Sequence, residues 1–305
     1  MQRTLRVPFA TLQPYHFLAA GSGAHVYIIN DAIVFKTPLS YNNPDDEDIA
    51  DRKAGIESLE REKVIYQTLK KVGPAHPNII RCYLIVPQGI FLERLDTTLE
   101  FRNRDRDHYP VNENKIVRWT KQLIGAVAFL EQLGLIHGDL RPANILINKD
   151  DHVKLTDFGD TVTPGERLRS ATPGFSQVCD LKTFRPCIAS YKSEQLAIGS
   201  CIFAISTGTE PLQGAKDQVR RFYLNDFPST ESVIFDKIIQ ACWKKSYASI
   251  SVLKDTIDAT VRSTLITTPI QDDSEWQFRL QECDSFLEEN KGSGNMNRSN
   301  GISHA

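Results

Sequence analysis

Asp139, Asn144 and Asp157 form the densest chemical signal in this chain of 305 residues. The first two lie in Ile136-His137-Gly138-Asp139-Leu140-Arg141-Pro142-Ala143-Asn144-Ile145-Leu146. The third follows a turn at residues 148–151, in Val153-Lys154-Leu155-Thr156-Asp157-Phe158-Gly159. Two strand-like runs joined by that turn would gather three oxygen-bearing side chains into one small space. Magnesium takes hard oxygen donors, rarely a full protein cage, and usually bridges one or two such side chains to phosphates. Either H-x-D or D-F-G alone is weak; both together, at this separation and joined by a hairpin, are strong.

The elements that must position these residues are legible in outline. Residues 26–29 and 32–35 are β-rich, with Asn30-Asp31 as a two-residue hairpin loop. Residues 41–48, with four acids in a row, read as a solvated loop. A helix is predicted from about 51 to 71, with Ile56, Leu59, Lys63, Tyr66 and Leu69 at helical spacing and Gly73-Pro74 ending it. Strands follow around 79–86 and 90–95. Beyond Asp96 the pattern turns helical: residues 112–132 carry Ile116, Trp119, Leu123, Ala126, Val127 and Leu130 on one stripe, stopped by Gly134. Residues 196–205 are apolar on nearly all sides, as a buried helix is. Trp276, Leu280, Cys283 and Leu287 mark one last helix docked on the body, and residues 292–305 read as a disordered tail.

From about Leu18 to Val261 the chain resembles the protein kinase family, whose corresponding segments read H-R-D-L-x-P-x-N and then D-F-G. The resemblance implies an α+β, bilobal protein-kinase-like fold. A small β-rich N-lobe with one main helix would occupy residues 1–94 and bind ATP. A larger helical C-lobe would run over 95–268, followed by a C-terminal helix and tail at 269–305. It further implies that Asp139 is the catalytic base orienting the accepting hydroxyl, that Arg141 meets the transferring phosphate, and that Asn144 and Asp157 hold Mg2+. Ile33-Val34-Phe35-Lys36 matches the V-A-I-K strand, so Lys36 would bind the α/β-phosphates of ATP. Its partner would be Glu62, ahead of Glu57 and Glu60 on other helix faces. Residues 92–95 would form the hinge, with Leu92 as gatekeeper and backbone groups at Glu93 and Leu95 meeting the adenine.

Several positions depart from the family pattern. Anchored on Val26-Tyr27, the G-x-G-x-x-G-x-V loop falls on Ala19, Gly21, Ala24 and Val26, so only the central glycine is kept; an offset reading from Gly21-Ser22-Gly23 would put Val26 at the third glycine. The first reading is preferred, and it implies weakened rather than abolished ATP affinity. Gly138 replaces the arginine that normally reads an activation-loop phosphate, so that switch is expected to be absent. The A-P-E triplet is missing, with Arg185-Pro186-Cys187-Ile188 standing roughly there, and no arginine follows Cys242-Trp243 to pair with its glutamate. Losing one partner of a buried pair would cost about 3–5 kcal/mol, whereas losing both can be near neutral. Glu194 stands where an aspartate would brace the catalytic loop, one methylene longer.

Composition sets the outer limits. Lys+Arg of 36 against Asp+Glu of 38 gives a net charge of -2, no footprint for nucleic acid or an anionic membrane. The six cysteines show neither C-x-x-C nor metal spacing, which fits a reducing compartment: the cytoplasm, or the nucleus. No signal peptide or spanning segment is read. The leading expectation is a protein kinase acting on Ser/Thr of a protein substrate that the sequence does not identify. A pseudokinase scaffold and a small-molecule phosphotransferase, a class that often carries H-G-D, are the alternatives. Retention of Lys36, Glu62, Asp139, Asn144 and Asp157 favours the enzyme over the scaffold, and Asp157-Phe158-Gly159 favours a protein kinase over the phosphotransferase.

Overall fold

The computed structural model describes residues 4–21, 23–261 and 273–293. The chain forms two compact units: one of residues 1–73, 81–94 and 270–305, the other of residues 74–80 and 95–269.

In the first unit, β1 (Thr4–Leu5) precedes β2 (Phe17–Ala20), β3 (Ala24–Ile28) and β4 (Ile33–Pro38). β5 (Tyr41–Asn42) pairs with β1, and α1 (Asp46–Lys71), β6 (Cys82–Val86) and β7 (Gly89–Glu93) follow. The main sheet is antiparallel, in the order β2-β3-β4-β7-β6. The β3–β4 ladder ends at Ile28 and Val34. The connection runs through Ala32 because Asn30 Oδ1 accepts from Ala32 N at 2.9 Å, a side-chain-closed turn longer than the expected two-residue loop.

The acids read as a solvated loop are in fact the start of α1. Asp45 and Asp48 form a reciprocal capping box, with Asp48 N donating to Asp45 Oδ1 at 2.8 Å. Asp46, Glu47 and Asp48 lie at the positive end of the helix dipole and Lys70 and Lys71 at the negative end.

The second unit opens with β8 (Thr97–Thr98), α2 (Leu99–Arg104) and α3 (Glu113–Gln132), the last capped by Asn112 Oδ1. β9 (Ile145–Ile147) and β10 (Val153–Leu155) complete a three-stranded sheet in the order β10-β9-β8. β11 (Val178–Asp180) and β12 (Arg185–Pro186) form a separate ribbon. α4 (Tyr191–Thr207) is buried almost throughout, starts at a Ser190–Ser193 capping box and stops at Gly208, φ +81°. Helices α5 (Gln218–Tyr223), α6 (Asp236–Trp243) and α7 (Ile250–Thr260) follow. Glu131 of α3 caps α7, accepting from Ile250 N at 2.8 Å and Ser251 N at 2.9 Å.

The last helix, α8 (Asp273–Ser293), belongs to the first unit. Along β4, alternation sends Ile33 and Phe35 to one face and Lys36 to the other. Ile33 and Phe35 join Tyr83, Phe91 and the fully buried Cys283 of α8 in one cluster, flanked by Phe9, Trp276, Phe286 and Leu287. Burying such apolar side chains is worth about 1.5–3 kcal/mol each, so the helix is integral to this unit. Among the described residues no helix is long and apolar enough to cross a membrane. The expected tail lies mostly outside the described residues.

Candidate active site

Lys36 leaves β4 on the face opposite the α8 cluster, and its Nζ meets Glu62 Oε2 at 2.6 Å. The Glu62 side chain is 1% exposed and that of Lys36 14%, so the pair is shielded from solvent. Glu60, the competitor, is exposed and pairs with Lys63 at 2.7 Å. Glu60 and Glu62 lie about 200° apart around the helix, and the rotation of α1 against the sheet selects Glu62.

The turn between β2 and β3 is closed by Gly21 N donating to Ala24 O at 2.8 Å, with Ala19 opposite Val26 across the ladder. Gly23 is the sterically constrained glycine. A Cβ on Gly55 of α1 would fall 2.0 Å from Gly23 O, and one on Gly23 would lie 2.9 Å from Gly55 Cα. The turn is therefore seated backbone-to-backbone on α1, a contact two separate glycines must permit. At the end of β7, Glu93 N donates to Arg81 O at 2.9 Å and Arg94 N to Ala32 O at 2.8 Å. Leu92 is buried, and Leu95 opens the second unit.

In the second unit, Gly134 (φ +70°) ends α3, and Ile136 and Val162 exchange backbone hydrogen bonds at 2.9 and 3.0 Å. That bridge brings the segment after Asp157-Phe158-Gly159 alongside His137-Gly138-Asp139. His137 Nε2 is 2.9 Å from Thr156 O. Thr156 N in turn donates to Asn144 O at 3.1 Å, so Asn144 and Asp157 are held on adjoining backbone. Asp157 has φ +65°, an uncommon left-handed position for a non-glycine residue and one that marks functional sites. Phe158 beneath it is fully buried, its ring centroid 5.3 Å from that of His137.

The Asp139 carboxylate is held from both sides. Oδ2 accepts from Asn144 Nδ2 at 2.9 Å and Arg141 Nε at 3.1 Å; Oδ1 accepts from Thr172 Oγ1 at 2.8 Å and, more distantly, from Ser170 Oγ at 3.5 Å. No local sequence pattern distinguishes Thr172 from Thr161, Thr163, Ser170 and Ser176 in the same segment. Asn144 Nδ2 also donates to Asp139 O at 2.8 Å, leaving Oδ1 as that side chain's oxygen donor. With the Asp157 carboxylate, it could offer two hard oxygens to a Mg2+ ion, a cation that takes most of its ligands from water and phosphate. Among the described residues no group of three or more His, Cys, Asp or Glu is placed to hold a metal ion.

Glu194, at the buried start of α4, reaches the loop that carries Asp139 despite its extra methylene: Gly138 N donates to its Oε1 at 2.9 Å. Burial, aided by nearby Asp139, pushes the Glu194 carboxyl upward, while His137 and the loop's N–H groups pull it down. Gly138 has φ +83°, and a Cβ there would stand 2.5 Å from Asp160 O, so this position does not admit an arginine without rearrangement.

A further support was not apparent from sequence. Lys245 Nζ, just past α6, donates to Gln177 Oε1 at 2.5 Å, and Gln177 Nε2 donates to Phe222 O at 2.6 Å and Asn225 Oδ1 at 2.9 Å. In place of the family's acid–arginine pair, a neutral amide and a cation whose pKa is lowered by burial anchor the segment after Thr172.

A strand-held Lys–Glu pair in one unit and a loop-held Asp–Asn–Asp set in the other define a protein kinase domain. The model for the protein kinase domain matches residues 43–265, most of the chain, and the chain belongs to that family. It is similar to the serine/threonine-protein kinase PDK1 of Cryptococcus neoformans var. grubii, 28% identical over 162 residues that make up 49% of this chain and 13% of that protein. It is similar also to the serine/threonine-protein kinase GIN4 of Saccharomyces cerevisiae, 26% identical over 176 residues, 54% of this chain and 14% of that one. To the 3-phosphoinositide-dependent protein kinase 1 of Rattus norvegicus it is 29% identical over 126 residues, 40% of this chain and 20% of that protein. The matches thus span a fifth or less of these relatives' lengths.

Proposed function

We propose that this chain is an active protein kinase that transfers the γ-phosphoryl group of ATP to serine or threonine hydroxyls of a protein. The observation that carries the reading is the Asp139 carboxylate, fixed on Oδ2 by Asn144 and Arg141 and already accepting an alcoholic hydroxyl, that of Thr172, on Oδ1 at 2.8 Å. The relatives named as serine/threonine-protein kinases support the same acceptor class.

Catalysis of this transfer is mostly positioning and charge neutralisation. Asp139 Oδ1 takes the hydrogen bond of the incoming hydroxyl, at the place where Ser170 makes only its long contact. The hydroxyl oxygen bonds to the γ-phosphorus as the bond to the bridging β-oxygen breaks, and Asp139 receives the proton. Arg141, beside Asp139, offers its cation to the phosphoryl oxygens. Lys36, oriented by Glu62, binds the α/β-phosphates. Asn144 Oδ1 and the Asp157 carboxylate hold the cation. Bound Mg2+ supplies neutralisation of phosphate charge.

The test compares the protein with Asp139→Asn, each incubated with γ-labelled ATP, Mg2+ and an array of Ser, Thr and Tyr peptides. Label on Ser/Thr peptides, falling about 10²–10⁴-fold in the variant, is the expected result. Label on tyrosine alone overturns the acceptor class. Equal backgrounds from both proteins, with no melting shift on adding Mg2+-ATP, overturn the enzyme reading.

A further inference from the structure

Of the six cysteines, Cys201, Cys242 and Cys283 are buried, and burial pushes their thiols and that of Cys82 upward. Cys179 and Cys187 differ. They sit on and just beyond the β11–β12 ribbon, where the register slips between Val178 and Asp180, so that Cys179 is the extra, unpaired residue of a bulge. Cys179 is exposed and Cys187 half-buried. The bulge places Cys179 against the strand end that carries Cys187, its Sγ reaching the carbonyl of the residue before it. Both surround one carbonyl: Cys179 Sγ donates to Pro186 O at 3.5 Å, and Pro186 immediately precedes Cys187. Arg167 closes the group, its Nη1 lying 3.6 Å from Cys179 Sγ and 2.5 Å from Pro186 O. Leu168 N then donates to Cys187 O at 3.0 Å, which fixes the second cysteine's backbone.

We infer that Cys179 and Cys187 are a peroxide-sensitive dithiol that closes to an intramolecular disulfide across the β11–β12 ribbon. The exposed sulfur with a guanidinium beside it is the one placed to meet a hydroperoxide. Cys179 sulfur attacks one peroxide oxygen, the O–O bond breaks, and the products are Cys179 sulfenic acid and water (or an alcohol from an organic hydroperoxide). Cys187 sulfur then displaces the sulfenic oxygen, forming the S–S bond and releasing a second water. Two thiols lose two electrons and two protons, and the peroxide gains them. Burial and the neighbouring Cys179 hold the Cys187 thiol up, in keeping with its role as the second, resolving sulfur. A thiol reductant reverses the step.

The full chain, reduced, freed of reductant and treated with hydrogen peroxide, is digested with trypsin without reduction and read by mass spectrometry. The expected product is a linked pair of the peptides spanning residues 170–182 and 183–192, two hydrogens lighter than their sum and abolished by dithiothreitol. Cys187→Ser should leave Cys179 as a sulfenic acid trapped by dimedone, whereas Cys179→Ser should leave Cys187 as a thiol. The linked pair should form much more slowly in urea, where the ribbon is lost. Recovery of the two peptides separately, either as thiols or over-oxidised, overturns the inference. So does linkage of Cys179 or Cys187 to another cysteine or to a second chain, or linkage at an equal rate in urea.

Discussion

Glu194 Oε1 accepts the backbone N–H of Gly138 at 2.9 Å, joining the buried start of α4 to the residue before Asp139. The carboxylate is fully enclosed, and removing it leaves a buried donor without a partner. Such a loss costs about 1–3 kcal/mol, so Glu194→Ala should destabilise the protein by that amount and lower kcat. Urea unfolding and steady-state kinetics on the variant check this.

The same residue makes stability depend on pH. Its folded pKa lies above the ordinary 4.5, so between those two values the folded state binds more protons than the unfolded chain. The slope of stability with pH is then negative: the contribution is full below about 4.5 and declines as pH rises through the folded value. Glu194→Gln keeps an acceptor for Gly138 and removes the titration. Denaturation midpoints measured across pH 4.5–8 should fall less steeply for the variant; identical slopes would remove Glu194 as the source.

Lys36→Met strands Glu62 as a buried charge, and a loss of about 3–5 kcal/mol is expected on breaking a buried pair. Adding Glu62→Leu should return much of that stability, because both charges are then gone. Nucleotide binding should stay lost in both. Melting temperatures with and without Mg2+-ATP separate the two effects: stability recovered with no ligand shift.

Gly138→Arg restores the family residue but not a switch. The side chain would demand a left-handed backbone costing about 1–2 kcal/mol, with Cβ 2.5 Å from Asp160 O. Lower stability and lower activity are expected, with no gain of phosphate-dependent activation after treatment by another kinase.

Ending the chain after Val261 removes α8 and uncovers Ile33, Phe35 and Phe91. Self-association, seen as early-eluting species in size-exclusion chromatography, and a lower melting temperature should follow. A monodisperse truncation with unchanged melting would contradict the packing of Cys283 and Phe286 on this sheet.

What the sequence determined was local. The spacing from His137 through Asn144 to Asp157, the strand bearing Lys36 and the stripe of α3 are short-range patterns, and each folds as its residues dictate. The start of α1 was misread because acids in a row look alike in a loop and in a first helical turn; only the Asp45–Asp48 box distinguishes them. Tertiary structure decided which glutamate meets Lys36, because that depends on how α1 is rotated over the sheet. It also brought Thr172 to Asp139 across 33 residues and Lys245 to Gln177 across 68. Single polar pairs at such separation leave no periodic trace in a chain, unlike a buried apolar face. The seat of α8 has the same origin: its apolar spacing announced a docked helix, but the surface it covers is set by Phe9 and Phe91 meeting Phe286, with Phe35 against Phe9, residues gathered from both ends of the sequence.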